Sequence, residues 1–213
     1  MKQAASVKEQ ASKSANGSVP ARYRKAQSHI VDNALSAEFQ TELADWLFHK
    51  RGSFERVGPT YEADRMAFEL RRPDALSAEA IAPIRKKVVE TFPQALEACA
   101  VDDFDLAHVE FRASLFHHGS VFGWHYEEFD DIEATDTVRQ LAFAYYLHST
   151  PCMFTGGEME FLDGSNIEPK TNRLVFYNPT QPISIREVEC YSAHPLHGRW
   201  SISGWLHSGP STE

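Results

Sequence analysis

The stretch Phe122-Gly-Trp-His125-Tyr-Glu127 sets an imidazole and a carboxylate two residues apart. At a strand end that spacing projects both side chains from one face. A neutral imidazole beside a carboxylate supplies two ligands for a divalent metal. A second histidine from another strand would complete the facial triad of a non-haem iron(II) centre, leaving three positions open. Taken alone, His-x-Glu is most often just a pair of surface polar residues, so its meaning depends on its surroundings.

A second group of residues lies in Gly198-Arg199-Trp-Ser201-Ile-Ser203-Gly-Trp205. Strand alternation places Arg199, Ser201, Ser203 and Trp205 on one face, opposite Trp200, Ile202 and Leu206. If the first face is an interior, a buried guanidinium needs an anionic partner. Its planar fork suits a carboxylate, and the Ser201 hydroxyl can donate to the same group. The alternative is an arginine on a solvent face, paired with an acid such as Glu160.

These residues require strands to carry them, and the chain supplies a run of candidates. Val109, Phe111, Ala113 and Leu115 alternate with His108, Glu110, Arg112 and Ser114, the period of a half-buried strand. Further strands are predicted over 139–148, 158–161, 173–177, 183–189 and 199–207, separated by turn-rich segments such as TPCMFTGG, DGSNIEPKTN and SAHPLHG. Two helices precede them. One starts near Ser36, with Leu35, Phe39, Leu43, Trp46 and Leu47 at helical spacing. The other covers roughly 78–92, ended by Pro93, with Pro83 in its first turn or dividing it. Two helices followed by many short strands imply a mainly β fold with flanking helices: an antiparallel sandwich or barrel with the N-terminal helices packed outside.

The 213 residues suffice for one domain of ordinary size, and 42% apolar residues can fill its core. Residues 1–28 carry six Lys/Arg against the single acid Glu9, and they read as a disordered basic leader before a domain at 29–213. The rest holds 15 basic and 29 acidic residues. That balance argues against nucleic acid as a partner, since phosphate backbones demand a basic surface. No run approaches the roughly 20 apolar residues of a membrane helix. Cys99, Cys152 and Cys190 are too scattered for a disulfide framework or a zinc knuckle, and thiols in a reducing, cytoplasmic setting are expected.

His125-x-Glu127, YYLH (145–148), Gly156-Gly-Glu-Met-Glu-Phe161, Pro-x-x-x-Arg-Leu-Val-Phe (169–176) and Arg199-x-Ser201 with Gly-Trp follow one another at compatible intervals. This succession over residues 105–207 resembles the iron(II)/2-oxoglutarate-dependent dioxygenases, in their prolyl-4-hydroxylase-like branch. The resemblance implies a double-stranded β-helix (jelly roll) with iron(II) at the barrel mouth and 2-oxoglutarate as co-substrate. It also implies that oxygen and 2-oxoglutarate yield succinate, carbon dioxide and an oxidant for a substrate C–H bond. His125 matches the proximal histidine ligand, and Glu127 stands where the family usually has Asp. Arg199 matches the residue gripping the far carboxylate of 2-oxoglutarate, with Ser201 beside it. Tyr146 matches a tyrosine of the Tyr-Leu-Asn strand, with His148 in the Asn position.

One position departs from the family. The distal histidine opens a His-x-Val segment there, whereas here Arg186 opens Arg186-Glu-Val188. A guanidinium has no lone pair and cannot ligate iron. Three resolutions stay open. His194 or His197 reaches the metal; or His125 and Glu127 hold it alone with Arg186 turned aside; or an Arg186–Glu127 salt bridge replaces the ion. His117 and His118 are expected to face the mouth, as substrate contacts or as ordinary loop residues. The expected function is an oxygenase acting on a small-molecule or peptide substrate. The rivals are a silent carboxylate-binding relative and a cupin-like metal enzyme that does not use 2-oxoglutarate.

Overall fold

The computed structural model describes residues 27–58, 65–70, 76–127 and 137–209. Most of the leader, 1–26, lies outside them.

Two helices form where the caps and periodicity direct. In α1 (Ala37–Lys50) the Ser36 side chain accepts a hydrogen bond from the Phe39 amide at 3.2 Å, replacing a partner that the first turn lacks. Ser77 does the same for α2 (Ala78–Cys99) through Ala80. The expected stop at Pro93 does not occur. Helix α2 runs on to Cys99 because Ala95, Leu96 and Cys99 bury against the core, and that burial outweighs the amide lost at proline. The chain leaves α2 through Ala100 in the left-handed region (φ 49°), with the Val101 amide returning to the Leu96 carbonyl.

Thirteen strands are described: β1 (Ser28–Asp32), β2 (Glu55–Val57), β3 (Arg65–Leu70), β4 (Leu106–Phe116), β5 (Val121–His125), β6 (Val138–Leu147), β7 (Phe154–Gly156), β8 (Met159–Phe161), β9 (Asn166–Ile167), β10 (Arg173–Tyr177), β11 (Ile183–Ile185), β12 (Val188–Cys190) and β13 (Arg199–Ser208). All pairings among them are antiparallel. The larger sheet runs β1-β10-β6-β13-β4-β3, with β2 outside β3. Strand β3 turns the corner into a smaller sheet, β3-β5-β11-β8-β9, and β7 pairs with β12. The result is a double-stranded β-helix. Strands β1, β2 and β3 were not expected. The segment predicted as one strand over 183–189 is two, β11 and β12, in different pairings, and two predicted turns contain the short strands β7 and β9.

The period-2 alternation of the larger sheet divides two cores. Leu141, Phe143, Tyr145, Leu174, Phe176, Trp200, Ile202 and Leu206 pack beneath α1 and α2. Ala142, Ala144, Tyr146, Val175, Tyr177 and Trp205 face the barrel interior, meeting Met159, Phe161, Ile183 and Ile185 of the smaller sheet. Strand β1 is tied to β10 by Arg173, whose Nε and Nη2 donate to the Asp32 carboxylate at 2.6 and 2.9 Å. Asn172, itself left-handed (φ 60°), accepts from the Leu35 amide and donates to the Leu35 carbonyl, fixing the entry to α1. No helix among the described residues is long and apolar enough to cross a membrane.

Candidate active site

His125 ends β5, paired opposite Ile183 of β11. Glu127 lies just beyond, its amide held by the Pro179 carbonyl at 3.2 Å. The imidazole stacks on Phe122. His125 Nδ1 lies 2.7 Å from the Gly123 carbonyl, which can only accept, so Nδ1 carries a hydrogen. Nε2 is 2.9 Å from Glu127 Oε1. In a neutral ring Nε2 is therefore a lone pair aimed at a carboxylate oxygen. Such a meeting is stable with a proton between the two, on the ring or on the carboxyl, or with a cation there. Anchoring Nδ1 on a carbonyl is also the usual way of directing Nε2 at a metal. Burial alone would raise the Glu127 carboxyl pKa. The hydrogen bond with His125 and the charges of His125, Arg112 and Arg139 outweigh burial and hold the pKa below the ordinary carboxylate value.

Arg199 lies at the other, closed end of the barrel and is 3% exposed. Its guanidinium carbon is 4.7 Å from the Tyr146 ring centroid and 4.9 Å from that of Phe116. Gly157 makes the room. A Cβ there would fall 2.7 Å from Arg199 Cδ, and its φ of +75° already suits glycine. Burial pulls the Arg199 pKa below the ordinary guanidinium value, against the opposing influence of Tyr146, and burial raises the Tyr146 hydroxyl pKa. No carboxylate lies within 4 Å of Arg199 among the described residues. Arg199 Nε and Tyr146 Oη are buried without hydrogen-bond partners. Ser201, next along this face and itself buried, pairs across to Tyr146 and Ser114. A buried cation with orphaned donors around it is costly as it stands, and a carboxylate ligand would relieve that cost.

The structure thus brings His125, Glu127, Arg199 and Ser201 to the walls of one cavity, with Tyr146 against Arg199. It does not bring the other candidates there. Arg186 points outward, with Nε 3.5 Å from Glu160 Oε1 and 3.9 Å from Glu158 Oε2, so the Arg186–Glu127 salt bridge is not formed. The side chains that β11 turns inward are Ile183 and Ile185. His194 stacks on Phe48 of α1, and His197 bonds to Ser192, both on the helical side of the closed end. His117 and His118 do not face the mouth. The turn that holds them follows Phe116, which pairs with Arg199, and His117 Nε2 lies 3.3 Å from the His194 carbonyl. His148 is engaged outside the cavity, its Nε2 accepting from the Thr171 amide at 2.9 Å.

Residues that the sequence did not single out complete the open end. Arg139 and Arg112 lie over the Trp205 ring, at 3.7 and 4.7 Å from its centroid. Glu110 faces both, and His207 as well. The alternation of β4 had placed Arg112 on the polar face, but nothing in its spacing tied it to Trp205.

The donor set fits the two groups differently. The orphaned Arg199 and Tyr146 atoms match a dicarboxylate. A divalent metal would find two protein donors, His125 and Glu127. Among the described residues no group of three or more His, Cys, Asp and Glu side chains is placed to hold an ion.

Residues 111–207 match the model of the 2OG-Fe(II) oxygenase superfamily. An uncharacterised PKHD-type hydroxylase of Synechocystis is 23% identical over 193 residues, which cover 83% of this chain and 61% of that protein. The chain thus spans about three fifths of that relative's length. Among solved structures, the Trichoplax adhaerens prolyl hydroxylase in complex with a hypoxia-inducible-factor peptide fragment has a TM-score of 0.63 at 14% identity. That match covers 96% of this chain and 90% of the other. A Pseudomonas putida prolyl-4-hydroxylase gives 0.59 at 18% identity, covering 86% and 94%. Residues 111–207 are thus similar to the 2OG-Fe(II) oxygenase superfamily, and the fold is the one found in the two prolyl hydroxylases. As its name states, that superfamily uses iron(II) and 2-oxoglutarate.

Proposed function

We propose that this chain is an iron(II)/2-oxoglutarate-dependent oxygenase that hydroxylates a small molecule or a peptide residue, using a metal shell with two protein ligands. His125 and Glu127 hold the iron, and Arg199, Ser201 and Tyr146 hold 2-oxoglutarate. The observation that carries the reading is the buried Arg199, its Nε without a hydrogen-bond partner, facing the same cavity as the His125–Glu127 couple. When bound, iron(II) with 2-oxoglutarate and oxygen supplies the oxidising power, with succinate and carbon dioxide as co-products.

The chain's own residues do the rest. The Gly123 carbonyl holds the imidazole by its Nδ1–H, keeping Nε2 directed at the site. The depressed Glu127 pKa keeps that carboxylate ionised at neutral pH. Arg199, clamped between Phe116 and Tyr146, offers its fork to the far carboxylate at the closed end. The apolar walls of Ile183, Ile185 and Met159 limit the water that shares the space. Arg186, turned outward onto Glu160, leaves the third metal position to solvent or co-substrate.

A silent relative that binds a carboxylate at Arg199 without iron is the second reading, favoured by the missing third ligand alone. Succinate formation separates the two. Purified protein with iron(II), ascorbate and 2-oxoglutarate should release succinate above a metal-free control, and His125→Ala should abolish the release. No release by the wild type above the metal-free control would leave the silent reading, and release that survives His125→Ala would move the metal elsewhere.

A further inference from the structure

Arg112 lies in the cavity, but it has no role in holding 2-oxoglutarate or metal. Strand β4 places it opposite Ser203, whereas Arg199 is opposite Phe116, four residues away. That is about 13 Å along the strand. Arg112 therefore lines the same cavity as the His125–Glu127 couple, away from the closed end. Its guanidinium carbon lies 4.7 Å from the Trp205 ring centroid; the side chain is one-third exposed, and Nη2 is 3.7 Å from Glu110 Oε1, longer than a hydrogen bond. Glu110 is already engaged: Arg139 donates to its other oxygen at 3.0 Å, and His207 Nε2 lies 3.4 Å from that same atom. One carboxylate thus faces three basic side chains across the open end. The N–H groups of Arg112 not used by Glu110 border the space a substrate must enter.

Resting on the iron(II)/2-oxoglutarate reading, we propose that the substrate carries a free carboxylate and that Arg112 binds it. A guanidinium braced on an indole presents a pre-set fork, which favours a planar oxyanion in two-point contact over a lone neutral acceptor. The surrounding Phe122, Ile183 and Trp205 side chains suit an apolar body attached to that group. The substrate class is thus a small apolar carboxylic acid; within a peptide only an internal Asp or Glu, or the C-terminus, would offer such a group.

The test uses matched pairs of aliphatic, 2-amino and aromatic carboxylic acids and their primary amides. Two quantities are read: stimulation of 2-oxoglutarate-dependent succinate release, and the shift in thermal midpoint of the purified protein. One or more acids should stimulate release and raise the midpoint where the matching amide does neither. Arg112→Met should raise the half-saturating acid concentration tenfold or more while affecting maximal rate less, and Arg112→Lys should recover part of the loss. Amides as effective as acids, preference for end-blocked peptides, no response to any acid, or an unchanged half-saturation in Arg112→Met would each overturn the proposal. Failure of the parent reading looks different. The stabilisation by 2-oxoglutarate itself, and its dependence on Arg199, would be absent, while an acid-over-amide preference at Arg112 would still register in the melt.

Discussion

His125 Nε2 and Glu127 Oε1 face each other at 2.9 Å, with the opposite ring nitrogen fixed on the Gly123 carbonyl. Two groups that would repel as lone pairs are thereby aimed at one point, which a cation can satisfy. Replacing either side chain by alanine should weaken manganese(II) binding by more than the ~10–100-fold that loss of an outer-sphere partner costs. Equilibrium dialysis measures it. Unchanged affinity in both variants would move the metal elsewhere.

Gly157 sets the position of Arg199. In Gly157→Ala the new methyl meets Arg199 Cδ and Val188 at a backbone angle unfavourable to alanine. The strain is of order 1–3 kcal/mol. The guanidinium can relieve part of it by shifting, so the variant should lose 2-oxoglutarate affinity as well as stability. Gly164, also at positive φ (+85°) but with open space around it, is the control. Gly164→Ala should cost stability and leave 2-oxoglutarate affinity intact in a titration.

Acid should loosen the N-terminal edge of the larger sheet. The hydrogen bond from Arg173 holds the Asp32 carboxyl pKa below its ordinary value, with burial opposing and the charges of Arg173 and Lys170 adding to the effect. A depressed folded-state pKa stabilises above the unfolded value, near 3.9, and that contribution is lost as pH falls through the folded value. Asp32 is half exposed, which limits the pair to about 1 kcal/mol. The thermal midpoint of Asp32→Asn should therefore lie below wild type at neutral pH and converge with it in acid. A gap that widens on acidification would contradict this.

Much of the barrel was legible in the sequence, for a definite reason. Strand β13 carries Arg199, Ser201, Ser203 and Trp205 inward and Trp200, Ile202 and Leu206 toward the helices, and a period of two is visible without any partner strand. The same holds for β4, whereas β6 reads as an unbroken apolar run over 141–147 because both of its faces are buried. Strand β1 was not legible, because its five residues become a strand only through β10 and the Asp32–Arg173 contact, 141 positions apart. Pro93 misled because local propensity says nothing of the burial that carries α2 past it. The two histidine pairs, 117–118 and 194–197, were ambiguous for another reason: which end of the barrel a turn closes is a property of the whole winding. Arg186 shows what the sequence can supply at a site: it announces that a metal ligand is absent, but not that its side chain lies outward on Glu160.

The central claim is that Arg199 seats a carboxylate of 2-oxoglutarate within reach of a metal held by His125 and Glu127. Calorimetric titration of 2-oxoglutarate into the wild-type protein, with manganese(II) and without it, tests this most directly. The account predicts binding that manganese(II) tightens, and a loss of about a hundredfold or more in Arg199→Ala, as expected when a buried charge pair loses one partner. No binding by the wild type, or binding that survives Arg199→Ala unchanged, would contradict it.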